Sequence, residues 1–364
     1  MKKKLVMLII AAVGLVSFVI VGCAPEAAPP EEEVPPTPEE EEEAPPAAPE
    51  AERIKWTGTH YMPPGPIWDA AVQVGKDVEE MSGGNFSIEF VAPGAVLTVA
   101  ETYTGLRDGI LECAWAYPGY YIEQLPETIF EGYAPFAFTD MDQMLVYYYE
   151  RGALPLLKES YEEFGLQYVA PLMGGVQGPI CAAKPIPNAA AMKGITMRAS
   201  DVTAEYVTGL GGSNVFVPVG EAYSLLAAGT VDGVAGVGLV DWYEAGLADI
   251  AKYWVMSPPI VPGWTDTFVT DLDAWNELPD EYKAMLEVAA VASYSRLKAR
   301  QEGMAYEVRK KLVEEGVTLI NWPAEDQGVF AEMALPIVKD RMADTPRCRK
   351  LYSLLEGYWH EVFG

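Results

Sequence analysis

Side chains able to do covalent or metal chemistry are few and scattered. The chain has two histidines, His60 and His360, and four cysteines, Cys23, Cys113, Cys181 and Cys348. No His/Cys cluster has metal-ligand spacing, so no metal and no other cofactor is expected. There is no Gly-x-Ser-x-Gly elbow, no phosphate loop ending in Gly-Lys-Ser/Thr, and no His-Glu-x-x-His. Gly233, Gly236 and Gly238 lack the dinucleotide spacing and read as a strand end with close backbone packing. Asp and Glu are abundant, but abundance is not pairing, and most belong to solvated faces. Nothing here recommends an enzyme, though none is excluded, and anion capture by a cationic side chain is a further possibility. Arg198 stands at the carboxyl end of a predicted strand, where α/β sheets place ligands. Ser200 or Asp201 then starts a helix, whose N-terminus favours negative charge. A guanidinium there offers a rigid fork that matches a carboxylate at two points.

The elements that must position it alternate along the chain. Arg53–His60 reads as a strand. A helix over Ile67–Ser82 follows, with Ala71, Val74, Val78 and Met81 on one stripe and Gly83-Gly84 as its stop. Phe86, Ile88 and Phe90 alternate as a strand. Glu101–Asp108 is helix, Ile110–Trp115 strand, and Met141–Tyr149 and Leu154–Phe164 are helices. Further strands are expected at Leu166–Leu172, Ile180–Ala183, Gly194–Arg198 and Val231–Val237, with another ending at Phe268–Asp271. Helices are expected over Val202–Leu210, Gly220–Ala228, Asp326–Met342 and Lys350–Phe363. A long one runs from Asp280 to about Glu315, between Pro279 and Gly316. At 1.5 Å per residue it would extend roughly 50 Å, enough to brace two lobes, with Gly303 as a place for a bend. Strand–helix alternation in a body of about 310 residues implies an α/β fold with two cores.

The N-terminus is of another kind. Three lysines precede an apolar run, Leu5–Val21, and then Gly22-Cys23. Ile20-Val21-Gly22-Cys23 resembles a bacterial lipobox, which implies a signal peptide at 1–22 and acylation of Cys23; an uncleaved anchor is the alternative. Residues 24–52 hold 11 Glu and 9 Pro and no aromatic residue. Such a segment cannot bury enough apolar surface to order itself, so 23–53 reads as a lipidated cysteine and spacer. The formal net charge is −28; eleven spacer glutamates and three leading lysines leave −20 on Arg53–Gly364. That excludes nucleic acid and anionic lipid headgroups as favoured partners. A local cation in a cleft still prevails, because salt screens the field within roughly 8–10 Å. Of the body's cysteines, at most one pair could bridge, and all three read as small apolar residues.

One stretch is more specific. Lys193-Gly194-Ile195-Thr196-Met197-Arg198 is followed by Glu221-Ala222-Tyr223 and by Gly229-Thr230-Val231-Asp232-Gly233. With Pro93-Gly94, Gly105–Gly109 and Trp275–Pro279, it resembles the DctP-like solute-binding proteins of TRAP transporters over nearly the whole body. The resemblance implies a two-lobed Venus-flytrap fold. Lobe I would be 54–175 with 257–290 and lobe II 176–256 with 291–330. The long helix braces both, and helices in 325–363 close the chain. It implies a monomeric, non-enzymatic receptor that grips an organic acid through Arg198 and delivers it to TRAP membrane subunits. Two departures bear on the ligand. A second arginine of sialic-acid-type relatives has no counterpart near Gly178, and Ala235-Gly236 replace their Glu-Asn. Rings stand where those relatives have polar residues, so a less polar acid is implied, with Tyr117, Tyr120, Gln177, Trp115, Trp242, Trp264 and His60 as candidate walls. Oxo-acid relatives that bridge ligand and protein with a metal use a Glu-Trp pair after the Asp-Gly turn; Ala235-Gly236 lacks it. A ligand-presenting protein for a signalling receptor, or an extracytoplasmic enzyme, remains as an alternative.

Overall fold

The computed structural model describes residues 53–132, 137–138, 140–217 and 219–363, without the side chains of Gln177, Asp201 and Phe363. The expected signal peptide, Cys23 and the spacer to residue 52 lie outside the described residues. In chain order the elements are β1 (Ile54–His60), α1 (Pro66–Met81), β2 (Phe86–Val91), α2 (Thr102–Arg107), β3 (Cys113–Ala116), α3 (Ile129–Gly132), α4 (Met141–Leu145), α5 (Ala153–Phe164) and β4 (Leu166–Gly178). Then come β5 (Ile180–Ala182), β6 (Thr196–Arg198), α6 (Asp201–Gly209), β7 (Ser213–Val215), α7 (Ala222–Ala227), β8 (Gly233–Val234), α8 (Leu239–Glu244) and β9 (Tyr253–Ser257). The last are β10 (Val261–Asp271), α9 (Leu272–Glu277), α10 (Asp280–Glu314), β11 (Thr318–Asn321), α11 (Val329–Arg341) and α12 (Pro346–Phe363).

The strands form two sheets. One runs β2-β1-β3-β10-β4, the other β11-β9-β5-β8-β6-β7. In the first, β1 is parallel to β2 and β3, and β10 is antiparallel to β3 and β4. In the second, β6 is parallel to β7 and β8, β9 is parallel to β11, and β5 is antiparallel to β8 and β9. The mixed α/β pattern follows from the alternation of periods in the sequence. In α1, Ala71, Val74 and Val78 are fully buried, while Met81 at the helix end is 41% exposed. Gly83 and Gly84, both at positive φ, reverse the chain there. The chain passes between sheets at three places: β4 to β5, β9 to β10, and α10 to β11.

Several expected boundaries move for identifiable reasons. β4 runs to Gly178 instead of stopping at Leu172, because Gly174-Gly175 is a packing device and not a break. An added Cβ on either would lie 2.0 Å from the Trp264 indole, which lies flat on β4. β10 begins at Val261 and is buried along most of its length, so it carries no alternating pattern to mark its start. β8 is only Gly233–Val234, since Gly236 takes φ 103° and turns the chain towards α8. The strand expected at Ile110–Trp115 is confined to Cys113–Ala116, and the helix at Met141–Tyr149 becomes α4 plus a π-helical turn, Val146–Glu150. Strands β7, β9 and β11 are short and were not anticipated.

α10 is 35 residues long and continuous through Gly303. Leu286, Ala290, Leu297, Ala305, Val308 and Leu312 bury one face of it. It packs on β4 and α1, and also meets α8 and β11, so it touches the layers around both sheets. Arg300–Asp69 at 3.0 Å, Lys298–Asp142 at 2.6 Å and Arg296–Asp77 tie it to the first. Gly316 closes it at φ 78°, with Val317 N donating to Leu312 O at 2.8 Å. Among the described residues no helix is long and apolar enough to cross a membrane. Cys113, Cys181 and Cys348 are free and buried.

Candidate functional site

The carboxyl ends of β1, β3, β6 and β8, drawn from both sheets, converge on one crevice. Tyr61 and Met62 follow β1, Tyr117 and Tyr120 follow β3, Ser200 and Thr203 follow β6, and Gly236 and Val237 follow β8. Val261 and Trp264 of β10, with Val219, complete the lining around Arg198. The arrangement is the crevice that α/β sheets create beyond their strand ends. The space left inside is about 20 Å³, room for one or two waters, so the walls stand close together.

Arg198 is fully buried. Its Nε and Nη2 donate to the carbonyl of Val217 at 2.9 and 2.7 Å, and Nη1 reaches that of Ala235 at 3.3 Å. These carbonyls hold the guanidinium plane in place. The strand that carries it is held in turn by the Gly-x-x-Asp-Gly turn. Asp232 accepts from Thr196 N at 3.0 Å and pairs with Lys184 at 2.7 Å. Lys184 and the Thr196 amide hold the Asp232 carboxyl below its ordinary range. On the next residue, Ala199 N donates to Asn214 Oδ1 at 2.9 Å. Gly236 lets the chain pass close to the arginine: an added Cβ would be 3.4 Å from Ser200 Oγ and 3.8 Å from Arg198 Nη1, at a φ only glycine favours.

Opposite Arg198 stands an aromatic wall. The rings of Tyr61, Tyr117 and Tyr120 lie 5.2–6.1 Å apart, with Tyr117 and Tyr120 edge to face. The Tyr117 hydroxyl donates to Gly132 O at 2.9 Å, which the close approach of Gly119 to Gly132 permits. Behind the wall lies Asp266, fully buried. It accepts from Trp115 Nε1 at 2.7 Å and from Tyr61 Oη at 3.0 Å, and Tyr61 accepts from Trp264 Nε1 at 3.2 Å. Burial pushes the Asp266 carboxyl up to about 8 against the pull of these donors. A neutral acid therefore anchors the wall.

Of the residues picked from the sequence, Arg198, Tyr117, Tyr120 and Trp264 line the crevice. Trp115 does not: its indole is turned to Asp266 and is fully buried. His60 is also set back, buried between Tyr61, Trp68 and Trp115. It accepts from Met62 N through Nδ1, and burial lowers it to about 3, so it is neutral. Trp242 lines a neighbouring cavity instead. The Gln177 side chain and Cys23 lie outside the described residues. Tyr61, one residue past the expected His60, was missed, as were Met62, Thr203 and Val261. For Tyr61 and Met62 the signal was available, since residues just beyond a parallel strand's end face the crevice; Thr203 inside α6 and Val261 at the start of antiparallel β10 carry no such local mark.

The bacterial extracellular solute-binding proteins, family 7 (DctP), match this chain over residues 59–345. The chain belongs to this family. Family 7 proteins are extracellular binding proteins, and this chain shares 24% identity over 293 residues with a monocarboxylate 2-oxoacid-binding periplasmic protein of Nostoc sp., covering 80% of each. Two solved TRAP solute-binding proteins share the fold. One from Bordetella bronchiseptica, with calcium and picolinate, has a TM-score of 0.77 at 21% identity, over 85% of this chain and 93% of that one. One from Pseudoalteromonas atlantica, with sodium and pyruvate, has 0.75 at 21%, over 85% and 95%. The shared fold is the two-lobed one. A calcium ion takes six to eight oxygen ligands with carboxylates among them, and the crevice is described without the Gln177 and Asp201 side chains. No carboxylate is among its described lining residues, and no group of three or more His, Cys, Asp or Glu gathers among the described residues.

Proposed function

We propose that this chain is the solute-capturing component of a TRAP-type secondary transporter, taking up a small organic acid through an ion pair between its carboxylate and Arg198. One observation carries the reading: a fully buried guanidinium faces a wall of rings in a crevice built from the strand ends of both sheets. Its guanidinium is held by the Val217 and Ala235 carbonyls, and a carboxylate entering the crevice adds a charge-assisted hydrogen bond to it, a stronger contact than a neutral one. The relatives named for 2-oxoacid, picolinate and pyruvate support an acid as the cargo. The rings add roughly 25 cal/mol for each Å² of apolar ligand surface they remove from water.

Capture is a closure of two lobes, 54–175 with 257–290 against 176–256 with 291–330, about the three crossings and α10. The closed form is what the membrane subunits recognise, and the monomer is the working unit. Acylated Cys23 and the spacer tether the body outside the cytoplasm; Cys23→Ser is expected to release the protein from the membrane fraction.

The deciding measurement is calorimetric titration of the chain with pyruvate, picolinate and longer carboxylates. At least one is expected to bind, and Arg198→Ala to weaken it by about a hundredfold or more, the cost of a lost charge-assisted pair. Unchanged affinity in a variant with wild-type circular dichroism would refute the role of Arg198.

A further inference from the structure

Beside the arginine crevice lies a larger cavity of about 380 Å³. The two share Met62, Val219 and Val237 as walls. Its other sides come from the Pro63–Ile67 turn into α1 and from α8. The space at Arg198 suffices for a carboxylate headgroup, whereas the neighbouring space is the size of an ordinary ligand pocket.

Its lining is largely apolar; the polar groups in it are Asp241, the Trp242 indole, Tyr223 and the exposed Glu244, and of the two carboxyls only Asp241 is buried. Asp241 is 8% exposed, and its Oδ2 has no hydrogen-bond partner. Its neighbour Trp242 is 1% exposed, and its Nε1 has none either. Both stand in the cavity wall. Buried polar atoms are normally satisfied, and leaving one unmade costs about 1–3 kcal/mol. The carboxyl packs against Gly238: a Cβ added there would lie 2.7 Å from Asp241 Oδ2 and 3.1 Å from Val176 O, so a larger residue would push the carboxyl aside. Burial pushes the Asp241 carboxyl up to about 7. It is poised to ionise when a donor arrives.

We propose that the acid held by Arg198 extends past Met62 and Val237 into this second cavity and ends in a hydrogen-bond donor, a hydroxyl or an ammonium, received by Asp241. A compact oxo acid would leave Asp241 unsatisfied. An acid with an apolar end would desolvate the carboxyl further. This rests on the reading of Arg198 as the carboxylate grip.

The test titrates the whole chain with straight-chain acids of matched length whose far end is a methyl, a hydroxyl or an ammonium group, from butanoate, 3-hydroxypropanoate and 3-aminopropanoate up to hexanoate, 5-hydroxypentanoate and 5-aminopentanoate. At the best length a polar-ended acid is expected to bind at least about tenfold more tightly than its methyl-ended match. Asp241→Leu is expected to erase that advantage. Asp241→Asn, a close steric match, separates the two donors: its amide oxygen still accepts from a hydroxyl, but an ammonium end loses its counter-charge. Arg198→Ala weakens all three classes alike. Equal or tighter binding of methyl-ended acids at every length overturns the inference, as does a polar preference that survives both Asp241 variants; carboxylate capture then stands. If no acid in the series or among the shorter carboxylates binds, both readings fall.

Discussion

Asp266→Asn isolates the electrostatics of the ring wall. The wild-type carboxyl is fully buried and accepts from Trp115 and Tyr61, and burial raises it from 3.8 to about 8. An acid whose folded pKa exceeds its unfolded value binds more protons in the native state between the two. Stability therefore falls as pH rises from about 4 to about 8 and is level outside that window. At about 1.4 kcal/mol per pH unit, this group alone removes about 4 kcal/mol between pH 4 and pH 7, an upper bound before the site relaxes. Asparagine keeps an oxygen for the Trp115 and Tyr61 donors and does not ionise. Urea midpoints of wild type and variant at pH 4.5, 6, 7 and 8 are expected to diverge, the variant gaining on the wild type at each step. The difference between the two curves cancels His60, which stays neutral near a lowered pKa of about 3 and adds stability as pH rises towards 6.5. It likewise cancels Glu131, raised to about 7, which acts in the same sense as Asp266. Parallel curves across this range would refute the claim that a neutral carboxyl anchors the wall.

Gly174→Ala is expected to displace the Trp264 indole, whose Nε1 is 2.0 Å from the added Cβ. A loss of about 1–3 kcal/mol in unfolding free energy and weaker acid binding should follow, measured by urea titration and calorimetry; an unshifted midpoint would contradict the packing described. Cys113, Cys181 and Cys348 are buried with their thiols raised by burial, so Ellman's reagent is expected to label them slowly in the native protein and fully in denaturant. Rapid native labelling would show that one of them is accessible.

Much of the fold was legible because its determinants are short-range. The stripe of α1, the alternation of β2 and the punctuation of α10 by Pro279 and Gly316 are patterns within a few turns of chain. The position of Arg198 was legible for a similar reason: a strand end followed at once by a helix start is a local statement that points to a ligand site. Short strands such as β7 and β9 carry too few residues to show a period. A buried strand such as β10 shows none.

The choice among the rings was of a different order. Trp115 and Trp264 read alike in the sequence, and so do His60 and Tyr61. Trp115 turns away from the crevice because a carboxyl 151 residues later, Asp266, takes its indole hydrogen. Trp264 faces the crevice because Gly174 and Gly175 across the strand pair leave space for its indole plane. Periodicity within the chain determines where an element lies and which face it buries. Which buried polar group claims a given ring, and which cavity the remaining rings enclose, depends on partners brought together only when strands distant in sequence pair.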